Sequence, residues 1–153
     1  MRIALYQPDI AGNVGTIMRT AACFSVGLDV IEPCGFPFAP DRPERGLRRA
    51  AMDYGARADV RRHADWAAFR GATPGRLVLF TTRAAIRLPD ARFTADDVLL
   101  FGSEGAGVPD AVHEASAVRV RIPLAPGARS LNVAVSAGIA LAEALRQTGL
   151  YPA

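Results

Sequence analysis

Three glycines and one acid follow an apolar run in the stretch "VLLFGSEGAGVP", residues 98–109. The glycines at 102, 105 and 107 can adopt positive φ and let main-chain N–H and C=O groups touch a ligand directly. A backbone this bare, beside Glu104, predicts a ligand site at the end of a buried strand. A tight turn without any ligand is the alternative explanation.

Two other stretches, "PDIAGNVGTIMR" (8–19) and "VRIPLAPGARSLNVAVS" (120–136), group polar side chains beside glycine and proline. Ser130 alone would be an ordinary helix N-cap. Its polar neighbours favour instead a helix start that faces a binding site. The polar residues are Asn13 and Arg19 in the first stretch, and Arg129, Ser130 and Asn132 in the second.

The first of these stretches has a partial likeness to a dinucleotide-binding loop. Gly12 and Gly15 open a predicted helix, and Glu32 ends the next strand twenty positions after Gly12. The fingerprint, however, needs G-x-G-x-x-G, and only two of those glycines exist here. It also leaves Asn13 and Arg19 unexplained, so we disfavour a nicotinamide or flavin enzyme.

All 18 basic residues are arginine, against 15 acids, and the chain has no lysine. This excludes a phosphate-binding lysine, a Schiff base and a lysine general base. Seven arginines fall between residues 42 and 62, where Arg45, Arg48 and Arg49 share one predicted helix face. Such a cluster predicts contacts with RNA phosphates; an ordinary solvated helix face is the alternative.

Several other functions find no support in the sequence. Cys23 and Cys34 fit no metal-binding spacing, and we expect His63 and His113 to be non-catalytic. No apolar run approaches the roughly 18 residues of a membrane span, and the first residues lack the pattern of a signal peptide. We therefore expect a cytoplasmic protein with no metal site and no membrane contact.

Apolar runs alternate with segments of helical period along the chain, which predicts a doubly wound α/β sheet in one domain, 1–153. The final helix, which we expect Ser130 to open, is apolar nearly all round, and such a helix is buried on several sides. In so small a domain this predicts a subunit interface. The predicted strands are 3–7, 28–33, 58–62, 76–82, 97–101 and 117–122; the predicted helices are 11–27, 44–54, one around Trp66 and Phe69, one from Pro109, and 130–147.

Together, N-x-G-x-x-x-R (13–19), "FGSEGAGVP" (101–109) and "IPLAPGARSLNVAVS" (122–136) resemble the SPOUT superfamily of RNA methyltransferases. With "IEPCGF" and "LRRAAMDY", and without an appended RNA-binding domain, the chain is similar to the minimal branch of that superfamily. That branch methylates the 2'-OH of the wobble nucleotide, cytidine or modified uridine 34, of leucine tRNAs. The central "SEGAG" departs from it and looks more like the wider ribose-methylating group.

The resemblance implies a Rossmann-like parallel sheet flanked by helices, with a C-terminal deep trefoil knot. It also implies a homodimer in which each RNA site draws on both subunits. The knot loops, 80–83, 102–107 and 122–132, would bind S-adenosylmethionine largely through main chain. By motif matching, the cofactor residues would be Phe80, Gly102, Glu104, Gly107, Ile122, Ser130 and Asn132; the catalytic residues Arg19 and Asn13; and the tRNA contacts Arg48, Arg49 and Arg129.

Methyl transfer to a ribose hydroxyl requires that the hydroxyl be aligned and its proton removed. Arginine is a poor base, so the role we expect for Arg19 is to bind the adjacent phosphate and orient the 2'-OH. Asn13 would orient Arg19 or the ribose, and Glu104 would pair with an arginine or hold its loop. A methyltransferase for another tRNA or rRNA site and a non-catalytic RNA- or cofactor-binding protein remain alternatives.

Overall fold

The computed structural model describes residues 1–39 and 42–153 and contains one parallel sheet with helices on both faces. Two residues of the predicted loop 33–43 therefore lie outside the described residues. The strands are β1 (Arg2–Tyr6), β2 (Gly27–Ile31), β3 (Val60–His63), β4 (Leu77–Phe80), β5 (Ile86–Arg87), β6 (Val98–Phe101) and β7 (Val118–Arg121). The helices are α1 (Ala11–Cys23), α2 (Arg45–Ala51), α3 (Trp66–Ala72), α4 (Asp110–Ala115) and α5 (Val133–Thr148), with 3-10 turns at Met52–Ala56 and Leu88–Asp90.

The seven strands lie in the order β3-β2-β1-β6-β4-β7-β5, and every pairing is parallel. Alternate residues of β1 point to opposite faces: Ile3 and Leu5 pack with α1, α2 and α5, whereas Ala4 packs with α3 and α4. Strands covered on both faces need continuous apolar sequence, which β4 and β6 have. The predicted parallel sheet flanked by helices is confirmed; the trefoil knot and the single-domain boundary stay predictions.

Several predicted element boundaries are wrong. The first helix ends at Cys23, and Gly27 is already the first residue of β2 rather than a helix stop. The arginine-rich helix ends at Ala51 and tightens into a 3-10 turn. Strand β5 was not predicted, because two exposed residues carry no periodic signal.

Ion pairs stabilise the end of the sheet at which β1, β4 and β6 begin. Arg2 contacts the buried carboxylate of Asp29 and also Asp59. Arg76 makes two contacts, 2.7 and 2.8 Å long, with Asp97, whose side chain is fully buried. The opposite end of the sheet, at the carboxyl ends of the strands, is therefore open for a ligand.

Candidate cofactor cleft and arginine face

A cleft of about 1120 Å³ opens where β4, β6 and β7 end. Because these strands are neighbours in the sheet, the loops that follow them converge although they are distant in sequence. Together with the first turn of α1, the loops form the walls of the cleft. All seven predicted cofactor residues line it: Phe80, Gly102, Glu104, Gly107, Ile122, Ser130 and Asn132; so does Asn13.

The inner part of the cleft is flat and apolar. The ring of Phe80 stacks on that of Phe101, with centroids 5.0 Å apart and planes 12° from parallel. Leu79, Ile122 and Leu124 line the cleft beside them. Apolar walls with a few polar groups at the mouth are typical of sites for small organic ligands.

The glycine loop that follows β6 is closed by its own backbone. Ser103 and Gly107 exchange two main-chain hydrogen bonds, 3.0 and 2.9 Å long. A Cβ on Gly102 would collide with the backbone of Gly107, and Gly107 itself has φ +69°. At least two of the three glycines are therefore required by loop closure, which agrees in part with the alternative explanation of a tight turn.

A chain of polar contacts joins this loop to the loop after β1. The main-chain N–H of Asp9 donates to Glu104 Oε2 at 2.8 Å, and Gly105 N–H donates to Asp9 Oδ2 at 3.0 Å. Asn13 Nδ2 donates to Glu104 Oε1 at 2.7 Å. Glu104 thus holds the two loops together, and it forms no ion pair with an arginine within residues 1–39 and 42–153.

The same chain continues into the third loop. Asn132 Nδ2 donates to Asn13 Oδ1 at 2.9 Å, and Asn132 Oδ1 accepts from the N–H groups of Ala134 and Val135. Asn132 is therefore the N-cap of α5, and the prediction that Ser130 opens this helix is wrong. Because Asn132 takes the cap, Ser130 stays outside the helix in the wall of the cleft.

Arg19 does not line the cleft. It follows Asn13 by six residues on α1, which turns its side chain about 120° around the helix and moves it about 9 Å along the axis. Its guanidinium lies 5.4 Å from the centroid of the Tyr54 ring, and Nη1 lies 3.0 Å from Met52 Sδ. Asn13 is held by Glu104 and Asn132, and among the described residues it has no hydrogen bond with Arg19.

Gly15, in the same motif, sets how closely α1 and α2 approach. A Cβ at this position would collide with the carbonyl oxygen of Leu47 on α2. Arg48 and Arg49 of α2 are exposed, as is Arg19 of α1. We call four exposed arginines of these two helices and of the turn that follows, Arg19, Arg48, Arg49 and Arg57, the arginine face. Arg129 is exposed in the loop before α5 and, like Arg48 and Arg49, does not line the cleft.

Three side chains at the cleft mouth were missed by sequence reasoning. Arg83 and Asp110 line it and lie 3.3 Å apart, and His113 on α4 lines it as well. Partial burial and the cation of Arg83 lower the pKa of His113. The position of Arg83 directly after β4 was the available signal, because ligands bind beyond the ends of parallel strands.

The structure does not support the dinucleotide-binding alternative, because the acidic residue at the end of its second strand is already paired with an arginine. Glu32 is held by Arg62 through contacts of 3.0 to 3.3 Å. His63 is buried and 2.7 Å from Asp29, away from the cleft. Within residues 1–39 and 42–153, no group of three or more potential ligands could hold a metal ion, and no helix has the length and apolarity of a membrane span.

Comparison with known proteins agrees with this geometry. The model of the SpoU rRNA Methylase family matches residues 1–142, so the chain belongs to that family. The tRNA (cytidine(34)-2'-O)-methyltransferase of Ancylobacter novellus is 53% identical over 152 residues, covering 97% of this chain and 94% of the relative.

Solved structures give the same result. One that describes the 2-OH methylation of C/U34 on tRNA has a TM-score of 0.89 and 40% identity, and covers 95% of this chain and 94% of its own. An AdoMet-bound rRNA methyltransferase from Sinorhizobium meliloti has a TM-score of 0.83 and 29% identity, and covers 95% of this chain and 55% of its own. The predicted family resemblance is confirmed.

Proposed function

We propose that this protein transfers a methyl group from S-adenosylmethionine to the ribose 2'-OH of nucleotide 34, cytidine or modified uridine, in leucine tRNA. The observation that carries the proposal is the convergence of all three motif loops on one cleft. The name of the 53% identical relative supplies the RNA position. Since tRNA is the substrate, we expect the enzyme in the cytoplasm.

The residues of the cleft fit the proposed cofactor. An adenine suits the apolar side chains that line the cleft, such as Phe80, Ile122 and Leu124, and main-chain groups after β4, β6 and β7 are available for its polar edge. The volume of the cleft exceeds what a ligand of this size requires. When bound, S-adenosylmethionine supplies an electrophilic methyl group on a sulfonium.

A homodimer completes the site. Among the exposed large apolar side chains, Ile10 and Leu131 also line the cleft. Val135 and Ile139, which are exposed as well, are one turn apart on α5. A second copy that covers this patch lies at the cleft mouth and brings its own α1 there. Arg19, which is not among the described residues that line the cleft of its own chain, then acts in the cleft of its partner.

Each polar residue then has one task in transfer. The partner's Arg19 binds the phosphate beside nucleotide 34 and orients the ribose, because a guanidinium contacts phosphate through two parallel donors. Glu104, Asn13 and Asn132 hold the three loops in fixed relation, so that the hydroxyl stands in line with the methyl group. When bound, S-adenosylmethionine would supply its methyl group to the oriented 2'-oxygen, whose proton would be released to solvent.

Exposed arginines extend the RNA contact beyond the reacting nucleotide. Arg48 and Arg49 lie in the last turn of α2, and Arg129 lies in the loop before Asn132. Phosphate contacts of this kind position a nucleic acid without reading its sequence. We assign these three residues to the tRNA backbone.

The proposal is tested by methyl incorporation into native and transcribed leucine tRNAs, with total rRNA and other tRNAs as parallel substrates. Mapping the methylated nucleotide is essential, because it separates position 34 from every other ribose. We expect 2'-O-methylation at position 34 alone. Methylation at another tRNA or rRNA position, or cofactor binding without transfer to any RNA, contradicts the proposal.

A further inference from the structure

One aromatic ring on the arginine face holds two guanidinium groups. The Cζ atom of Arg19 lies 5.4 Å from the centroid of the Tyr54 ring, and that of Arg57 lies 6.0 Å from the same centroid. Tyr54 belongs to the 3-10 turn that follows α2. This short turn therefore contacts Arg19, the residue that we assign to orienting the reacting ribose. Neither the motifs nor the family resemblance assigned a role to Tyr54 or Arg57.

Among the described residues, the only hydrogen bond made by either guanidinium group is the one from Arg19 Nη1 to Met52 Sδ. Within the part of the chain that the structure describes, neither Arg19 nor Arg57 pairs with a carboxylate. Other arginines of this chain do pair, such as Arg2 with Asp29 and Arg76 with Asp97. A ring face attracts a guanidinium without consuming its N–H groups, so both cations stay available for an anion.

The local backbone is also unusual at this point. Met52, which joins α2 to the 3-10 turn, has φ +54° and ψ −137°, a conformation that is costly for any residue with a side chain. Its side chain is 57% exposed, yet its sulfur accepts from Arg19 at 3.0 Å. Strained residues of this kind cluster at functional sites.

We propose that Tyr54 is a positioning residue that holds Arg19 and Arg57 together as a clamp for the RNA backbone beside the reacting ribose. Arg57 is then a further RNA-binding residue, and Tyr54 acts on RNA only through the two arginines. The inference rests on the proposed function, because it places the clamp at the nucleotide that is methylated.

The test measures tRNA affinity by fluorescence anisotropy with S-adenosylhomocysteine bound, and methyl transfer in parallel. Tyr54→Leu should weaken tRNA binding about two- to tenfold, the effect of losing two exposed cation–π contacts. Tyr54→Phe, which keeps the ring, should match the wild type. The affinity for S-adenosylhomocysteine should stay within about twofold in both variants, since neither changes the cleft.

A combined variant separates positioning from direct contact. In a chain that already carries Arg19→Ala and Arg57→Ala, adding Tyr54→Leu should change tRNA affinity no further. An equal loss in that background, or no loss in the wild-type background, overturns the inference. Arg57→Gln guards against misfolding of the Tyr54 variant, because its side chain is exposed; it should weaken tRNA binding about two- to fivefold, and unchanged binding contradicts the clamp.

Failure of the inference is distinct from failure of the proposed function. If the wild type methylates position 34 and the Tyr54→Leu variant does so equally well, only the clamp is refuted. A wild-type enzyme that transfers no methyl group to any tRNA refutes the proposed function, and with it the inference.

Discussion

The cofactor cleft and the arginine face are built in opposite ways. The cleft is lined by loops of one chain, and the Asp9–Glu104–Asn13–Asn132 contacts join the loops that follow β1, β6 and β7. The arginine face consists of long exposed side chains on α1, on α2 and after it, and these are not among the described residues that line the cleft. The difference supports the proposal that one subunit binds the methyl donor while the other presents the RNA.

We expect the largest effect from a substitution that changes only the arginine face. Arg19→Ala should lower kcat about 100- to 1000-fold, the usual cost of removing a group that orients and stabilises the reacting centre. The affinity for S-adenosylhomocysteine, measured by calorimetry, should stay nearly unchanged, because Arg19 does not line the cleft. Arg87→Ala, an exposed arginine on β5 outside the arginine cluster, is the matched control and should retain full activity. Turnover retained by Arg19→Ala refutes its assignment.

We expect a smaller effect from a substitution that changes only the cleft. Gly102→Ala introduces a Cβ onto the backbone of Gly107, which must then move. Overpacking of this kind costs about 1–3 kcal/mol, so S-adenosylhomocysteine should bind roughly 5- to 100-fold more weakly, whereas tRNA affinity should hold. Gly71→Ala, where a new Cβ meets nothing within 4 Å, is the control. Equal cofactor affinity in Gly102→Ala and the wild type contradicts the assigned site.

The smallest expected effect is a change in stability with pH at the end of the sheet opposite the cleft. Burial by itself raises the pKa of Asp97, but hydrogen bonds from Arg76 and Thr94 outweigh burial, and the pKa lies below its ordinary value of 3.8. The unfolded chain therefore binds the proton more readily, so this stability is present above pH 3.8 and is lost as the pH falls further. Denaturant unfolding from pH 6 to pH 3 should show a steeper loss for the wild type than for Asp97→Asn. Parallel curves for the two proteins contradict this.

The parallel sheet was predictable because strands buried on both faces leave continuous apolar runs, as in β4 and β6. The cleft residues were predictable because ligands lie beyond the ends of such strands, and the motif resemblance selected Phe80, Ile122 and Asn132 among them. What the sequence did not reveal were contacts between distant residues. Ser130 and Asn132 both suit an N-cap, and only the contact of Asn132 with Asn13 decides between them.

The position of Arg19 shows the same limit of local sequence. Its spacing from Asn13 suggested one shared site, but helical geometry turns the two side chains to different sides of α1. The packing of α2 against Gly15 then sets Met52 and Tyr54 beside Arg19. Loop closure by Gly102 and Gly107 was likewise hidden, because a glycine needed by a ligand and one needed by a neighbouring backbone look alike in sequence.

The central claim is that Arg19 of one subunit serves the cleft of the other, and mixed dimers test it most directly. Arg19→Ala and Gly102→Ala chains, each inactive or weak alone, are unfolded together, refolded and assayed for methylation of tRNA. Random pairing makes half of the dimers mixed, and each mixed dimer has one intact composite site. We therefore expect activity to recover to about a quarter of the wild-type value. Activity no higher than the average of the two separate variants contradicts the account, because it places Arg19 and the cleft it serves in the same chain.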